Sequence, residues 1–261
     1  MLMPRRKKAQ SLNLWTTLAL LMCVTGVWAQ SSVDPPAKGE GIKPSIMAKA
    51  RAGNTDAEFY IGVLYEEGKG VPQDYVQAAA WYRKAADQGN ANAQFALGAH
   101  YRRGQGVPQD YTQAAFWWRK AAEQGDADAQ EELGEAYIKG QGVPQDYTQA
   151  AFWWRKAAEQ GDADAQIGLG VLYNRGLGVP QDYAEAYFWL DIATAGKLDP
   201  AAAKTDVFVD LLAAGGLDST TMKEDLIEYR DETASHLTPA DLSRVQERAR
   251  RWFEDHPAKP H

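Results

Sequence analysis

The sequence predicts an all-α protein, a right-handed α/α superhelical solenoid of about four 36-residue helix pairs. A pattern of that length recurs four times in tandem, starting at Gly53, Gly89, Gly125 and Gly161. Within each unit, Ala, Leu, Tyr and Trp recur at helical spacing. Asn or Asp stands where each helix should begin, and Gly where the first helix of each unit should end. Tandem units of this kind stack on their neighbours and share one continuous core.

The first 29 residues have the layout of a secretory signal peptide. Four basic residues at positions 5–8 precede an apolar run from Leu12 to Trp28, and Ala29 offers a small residue at the cleavage position. We therefore expect export to the periplasm of a Gram-negative bacterium, with no integral membrane segment after cleavage. The alternative is an inner-membrane anchor formed by the same segment left uncleaved.

The composition excludes several classes of function. The chain has 45% hydrophobic residues, 24% charged residues and a net charge of -7, which is typical of a globular protein and unfavourable for a nucleic-acid partner. Its one cysteine, Cys23, lies in the apolar run and follows Met22, which is too large for a lipoprotein cleavage site. A cleaved chain would hold no thiol, so disulfides and cysteine catalysis are excluded.

Segments on either side of the repeats complete the predicted organisation. Residues 30–43, rich in Ser, Pro and Gly, should form a flexible linker, and residues 44–52 an N-terminal capping helix. The four repeats occupy residues 53–196, as units 53–88, 89–124, 125–160 and 161–196.

After Gly196 the period breaks, and residues 197–256 should form a helical cap before a tail at 257–261. Its helices should run from Asp199 to about Ala214, from Thr220 or Thr221 to about His236, and from Thr238 onward. Such a cap keeps the apolar face of the last repeat out of water.

Cap residues define the two helices of each repeat. The first helix should start at Asn54, Asn90, Asp126 or Asp162 and end at Gly68, Gly104, Gly140 or Gly176. The second should start at Asp74, Asp110, Asp146 or Asp182. A reciprocal capping box is expected there with Gln77, Gln113, Gln149 or Glu185.

The repeat pattern reads Ala-x-x-x-Leu-Gly-x-x-Tyr-x-x-Gly-x-Gly-Val-x-x-Asp-Tyr-x-x-Ala-x-x-Trp-x-x-x-Ala-Ala. It resembles the Sel1-like repeat family, a helical-pair solenoid related to tetratricopeptide repeats with a longer internal loop. The resemblance runs from Gly53 to Gly196, and the final "LTPADLSRVQERARRW" is similar to the closing helix of many members. It implies an adaptor or scaffold role.

Two repeats share a block of 27 identical residues, and the identity stops on a first helix. Residues 104–130 and 140–166 match letter for letter, after which Glu131 stands against Ile167. The shared block holds the loop, the second helix and the next cap, which are the parts that join repeats. A recent partial duplication is the alternative explanation.

The related tetratricopeptide pattern predicts which first-helix side chains line a concave groove. Steps of three and four residues keep each set on one helix face. Unit one contributes Asp56, Phe59, Val63, Glu66 and Glu67, and unit two Asn92, Phe95, Ala99, Arg102 and Arg103. Unit three contributes Asp128, Glu131, Glu135, Ile138 and Lys139, and unit four Asp164, Ile167, Val171, Asn174 and Arg175.

Other motifs are better explained by structure than by chemistry. Phe116-Trp117-Trp118, a possible sugar platform, lies at core spacing in the second helix. The paired acids of "GDADAQ" are too few for calcium and suit helix capping. His100 should be a satisfied core histidine, since no histidine stands at metal or catalytic spacing. We expect no catalytic residue, metal or cofactor.

These observations predict a non-enzymatic, monomeric adaptor of the bacterial cell envelope that binds a protein or peptide in its groove. The apolar groove residues and the charges beyond them suit an extended or helical peptide. Two alternatives stay open: an envelope enzyme acting on cell-wall or β-lactam substrates, and a secreted effector directed at a host.

The export prediction is tested by the N-terminus of the protein recovered from cells. Mass spectrometry of a periplasmic extract should find a chain that begins at Gln30. Recovery in the membrane fraction with residues 1–29 intact would instead establish the anchor.

Overall fold

The computed structural model describes residues 41–196 and 222–257, which form eleven helices and no strand. The helices are α1 (Pro44–Arg51), α2 (Thr55–Glu67), α3 (Tyr75–Asp87), α4 (Ala91–Arg103), α5 (Tyr111–Glu123), α6 (Ala127–Lys139), α7 (Tyr147–Glu159), α8 (Ala163–Arg175), α9 (Tyr183–Ala195), α10 (Met222–Ser235) and α11 (Pro239–Asp255). None of them combines the length and apolarity that a bilayer crossing requires. The predicted signal peptide, most of the linker, the helix expected from Asp199 and the tail after 257 lie outside the described residues.

Consecutive helices pack as pairs, which confirms the predicted all-α repeat solenoid. Helix α2 packs on α3, α4 on α5, α6 on α7 and α8 on α9, and each pair contacts the next. Helix α1 packs against α2 at one end, while α10 and α11 both pack against α9 at the other. Each repeat therefore buries its apolar faces against its neighbours.

Asn and Asp side chains begin the helices as the sequence predicts. The Asn54 side-chain oxygen accepts a hydrogen bond from the Ala57 amide at 2.8 Å. One oxygen of Asp74 accepts from the amides of Val76 and Gln77 at 2.9 and 3.0 Å. The other three repeats form the same bonds. Each cap contributes about 1 kcal/mol to stability.

Only one of the two kinds of hydrogen bond in the expected capping box forms, the one accepted by the Asp side chain. The backbone N–H of Asp74 donates to the carbonyl of Tyr65 on the preceding helix at 2.9 Å, so it is not available to the side chain of Gln77. Tyr101, Tyr137 and Tyr173 accept in the same way in the later repeats. The reciprocal half of the prediction is wrong because a backbone bond between the paired helices takes its place.

The loop between the paired helices is closed by its glutamine. Gly68 ends α2 in the left-handed conformation, with φ of 69°, a backbone state that glycine adopts without strain. The Gln73 amide then donates to the carbonyl of Glu66 at 2.7 Å and to the Tyr75 hydroxyl at 3.0 Å. Gln109, Gln145 and Gln181 repeat both bonds, which explains why the loop sequence recurs.

The tryptophans form the core, as predicted for the "FWW" motif. Trp117 and Trp118 are 4% and 3% exposed, whereas Phe116 beside them is 47% exposed. A Cβ built on Gly98 would lie 2.5 Å from Cδ1 of Trp118, so only glycine lets α4 approach α5 this closely. Gly62 meets Tyr82 in the same way in the first repeat.

We expect Gly98→Ala to lower the free energy of unfolding by about 1–3 kcal/mol, because the added methyl group overlaps the Trp118 indole. Helix propensity alone would instead favour alanine by about 1 kcal/mol. The exposed Asn92→Ala on the same helix is the control and should change stability by less than about 0.5 kcal/mol. Urea unfolding followed by circular dichroism measures both. Unchanged stability of Gly98→Ala would show that the indole moves aside.

Candidate protein-binding groove

The predicted groove positions lie on the first helices α2, α4, α6 and α8. In repeats one and two, Phe59, Val63 and Phe95 pack against the core on one side and remain partly exposed. Tyr60, beside Phe59 on α2, is 47% exposed. Sequence reasoning missed Tyr60 because the repeat template assigns no role to its position. We call Phe59, Tyr60, Val63 and Phe95 the open end.

The equivalent positions of repeats three and four, and that of Ala99 in repeat two, are buried. Ile167 and Val171 are 2% and 0% exposed. Ala99, Glu131, Glu135 and Ile138 are also buried. Along the described groove positions, accessible apolar surface is therefore restricted to the open end. Arg103 and Arg175 are exposed and Lys139 is half-buried.

Several polar groove positions join one repeat to the next. Arg102 on α4 contacts Oε2 of Glu132 on α6 at 2.6 Å, where the glutamate is 3% exposed. The Asn174 amide on α8 donates to the Thr233 hydroxyl on α10 at 2.8 Å. The charge of Arg102 is therefore balanced by a carboxylate of the protein itself.

Glu66 occupies in repeat one the position that Arg102 occupies in repeat two. It forms a three-residue cluster with Tyr82 and His100. The Tyr82 hydroxyl donates to Oε2 of Glu66. Nε2 of His100 lies 3.6 Å from that oxygen, and Nδ1 of His100 is 2.8 Å from the Gln105 carbonyl. Because a carbonyl only accepts, Nδ1 carries a hydrogen. His100 is 1% exposed, as expected for a core histidine, and it also faces a carboxylate.

These contacts fix the protonation of the Glu66–Tyr82 pair. The His100 imidazole lowers the pKa of the Glu66 carboxyl, and the Tyr82 hydroxyl adds to this effect, while burial opposes it. Burial raises the pKa of Tyr82, and the hydrogen bond to Glu66 raises it further. Glu66 is therefore ionised at neutral pH, and Tyr82 remains a hydrogen-bond donor.

A second charged cluster lies on α6 in repeat three. Carboxylate oxygens of Glu131, Glu132 and Glu135 lie within 4.8 Å of one another, a separation that one metal ion can bridge. Two cations are already in place: Arg102 contacts Glu132, and Nζ of Lys139 lies 2.6 Å from Glu135. The arrangement therefore acts as an ion-pair cluster between repeats. Its sequence signal is three glutamates at positions that are otherwise mostly apolar.

Comparison with known proteins identifies the repeat. The sequence profile described as Sel1 repeat matches residues 55–90, 91–126, 127–162, 163–196 and 235–254, more than half of the chain. No curated protein is significantly similar to the chain.

Two of the solved structures that resemble the fold share at least 36% identity with the chain. One is c5321, a protective antigen present in uropathogenic Escherichia coli strains that displays an SLR fold, with 36% identity and a TM-score of 0.58. It aligns over 82% of this chain and 44% of its own. The other, a Sel1 repeat protein from Oxalobacter formigenes, has 40% identity and a TM-score of 0.56 over 60% of this chain and 46% of its own. This chain thus spans less than half of either relative.

We expect Arg102→Ala to lower the free energy of unfolding by about 1–3 kcal/mol, because it removes a cation from the buried Glu132 carboxylate. Arg103→Ala is the matched control, since the neighbouring arginine is exposed, and should change stability by less than about 0.5 kcal/mol. Denaturant titration compares them. Equal stability of the two variants would contradict a structural role for Arg102.

Proposed function

The chain belongs to the Sel1 repeat family, and from this premise we propose that it is a non-enzymatic scaffold that binds a partner segment at its open end. The observation that carries the proposal is the accessible apolar surface on two neighbouring first helices. Tyr60 is nearly half exposed, Phe59 is partly exposed next to it on α2, and Phe95 is partly exposed at the equivalent position of α4. Aromatic side chains of this kind are common anchors in protein interfaces.

The geometry favours a peptide segment as the bound element. Phe59 and Phe95 lie on α2 and α4, the first helices of two repeats that are joined through α3, so a segment crossing α2 and α4 contacts both repeats. Core contacts hold Phe59 and Val63 on their inner sides, which limits the conformational entropy lost when a partner binds. An extended strand or an amphipathic helix uses such a surface through a few apolar side chains.

We place this function in the bacterial cell envelope on the basis of the N-terminal export signal. The basic start, the apolar run and the small residue at Ala29 support secretion. The partner would then be an envelope protein or an exported protein.

The proposal is tested by comparing two double variants that each remove two phenylalanines. Phe59→Ala/Phe95→Ala truncates the open end, and Phe116→Ala/Phe152→Ala truncates exposed rings on the second helices. Affinity capture from envelope extracts should recover a specific partner with the wild-type protein. The first variant should lose at least about tenfold in recovery, because a truncated anchor typically costs more than 1 kcal/mol of binding.

The second variant should capture the partner as the wild type does. Circular dichroism and thermal unfolding must show that both variants remain folded. Equal loss in the two variants, or full capture by the open-end variant, would contradict binding at the open end.

A further inference from the structure

The charges around the open end are mainly acidic, and this observation extends the proposed function. Asp56, Glu66 and Glu67 belong to the same helix as Phe59. Lys69 is already paired with Glu67 at 2.8 Å. Arg102 is engaged by Glu132. Arg103 is the one other cation among the groove positions of repeats one and two, all of which the structure describes, and its charge helps to lower the pKa of the Glu66 carboxyl.

The Glu66 carboxylate is held in place by two buried side chains, Tyr82 and His100. One oxygen accepts the Tyr82 hydroxyl and faces His100, and the side chain is 31% exposed. Within the described ranges no hydrogen bond engages its other oxygen, Oε1. A fixed, ionised carboxylate binds a cationic group with little further loss of side-chain entropy.

Each of the three members of this cluster differs from the residues at the same position of the other repeats. Glu66 is replaced by Arg102, Ile138 and Asn174 in the later units. Tyr82 is replaced by Trp118, Trp154 and Leu190, and His100 stands where other units have Leu64, Ala136 and Leu172. Among the four repeats, the combination of a carboxylate, a phenol hydroxyl and an imidazole at these positions is therefore specific to the boundary between repeats one and two.

We propose that the open end selects partner segments carrying a lysine or arginine next to an apolar anchor, and that Glu66 is the residue that sets this preference. The inference rests on the proposed function. The apolar anchor contacts Phe59 and Phe95, while the basic group binds Oε1 of Glu66, the oxygen that Tyr82 does not engage. Tyr82 acts as a positioning residue, since its hydroxyl orients the carboxylate.

The net charge of the whole chain agrees with this preference for basic segments. The chain carries a net charge of -7, so a basic segment is attracted during encounter and an acidic one is repelled. The contact with Glu66 then adds specificity, because a cation bound to carboxylate makes a charge-assisted hydrogen bond.

The test is selection of a random peptide library displayed on phage against the protein purified from the bacterial envelope. We expect selected peptides to be enriched in Lys or Arg near an aromatic or aliphatic residue. Synthetic versions should bind Glu66→Gln about tenfold more weakly, since glutamine keeps an acceptor for Tyr82 but lacks the charge. Glu67→Gln is the matched control and should bind within about twofold of the wild type, because Glu67 is exposed and paired with Lys69.

The Tyr82→Phe variant removes the hydroxyl that orients the Glu66 carboxylate and keeps the charge of that carboxylate. Loss of the hydroxyl should weaken basic peptides by less than Glu66→Gln does, and should leave the binding of peptides with glutamine in place of the basic residue unchanged. An equal loss for both kinds of peptide would overturn the positioning role of Tyr82.

The outcomes distinguish this inference from the function on which it rests. Peptides that require Phe59 and Phe95 but show no basic preference, or bind Glu66→Gln normally, overturn the inference and leave the scaffold proposal standing. Peptides that bind independently of Phe59 and Phe95, or failure to select any peptide, contradict both.

Discussion

Close contact between a large side chain of each second helix and a glycine of each first helix sets the spacing on which the solenoid depends. Trp118 lies against Gly98, and Leu190 against Gly170, where a built Cβ would be 2.5 and 2.6 Å away. Repeats pack in register only if every pair keeps this separation, because stability in a solenoid comes mainly from neighbouring interfaces. The identical 27-residue block contains the second helix of this contact.

Conserving that contact leaves the other face of the first helix free to differ between repeats. Repeat one places aromatic residues there, whereas repeat three places Glu131, Glu132 and Glu135. The glutamates are buried, and Arg102 reaches Glu132 from the preceding repeat. Variation on this face therefore serves two purposes: it joins repeats in the middle of the array, and it leaves apolar surface accessible at the open end.

Local chemistry made the helices predictable, and non-local contacts account for what the sequence did not reveal. Asn54 and Gly68 act on residues within a few positions of themselves, so their capping roles follow from sequence alone. The bond from the Asp74 amide to the Tyr65 carbonyl joins two helices, and no residue pattern specifies it. Burial of Ile167 depends on packing across repeats, which is why a spacing argument placed it in an accessible groove.

In-cell photocrosslinking can show whether the open end is the partner-binding surface. A photoreactive phenylalanine would replace Tyr60, which is 47% exposed at the open end, or Tyr111, which is 37% exposed at the start of a second helix. We expect a discrete covalent adduct with one partner from position 60 and none from position 111. An adduct from position 111 alone, or none from position 60, would contradict partner binding at the open end.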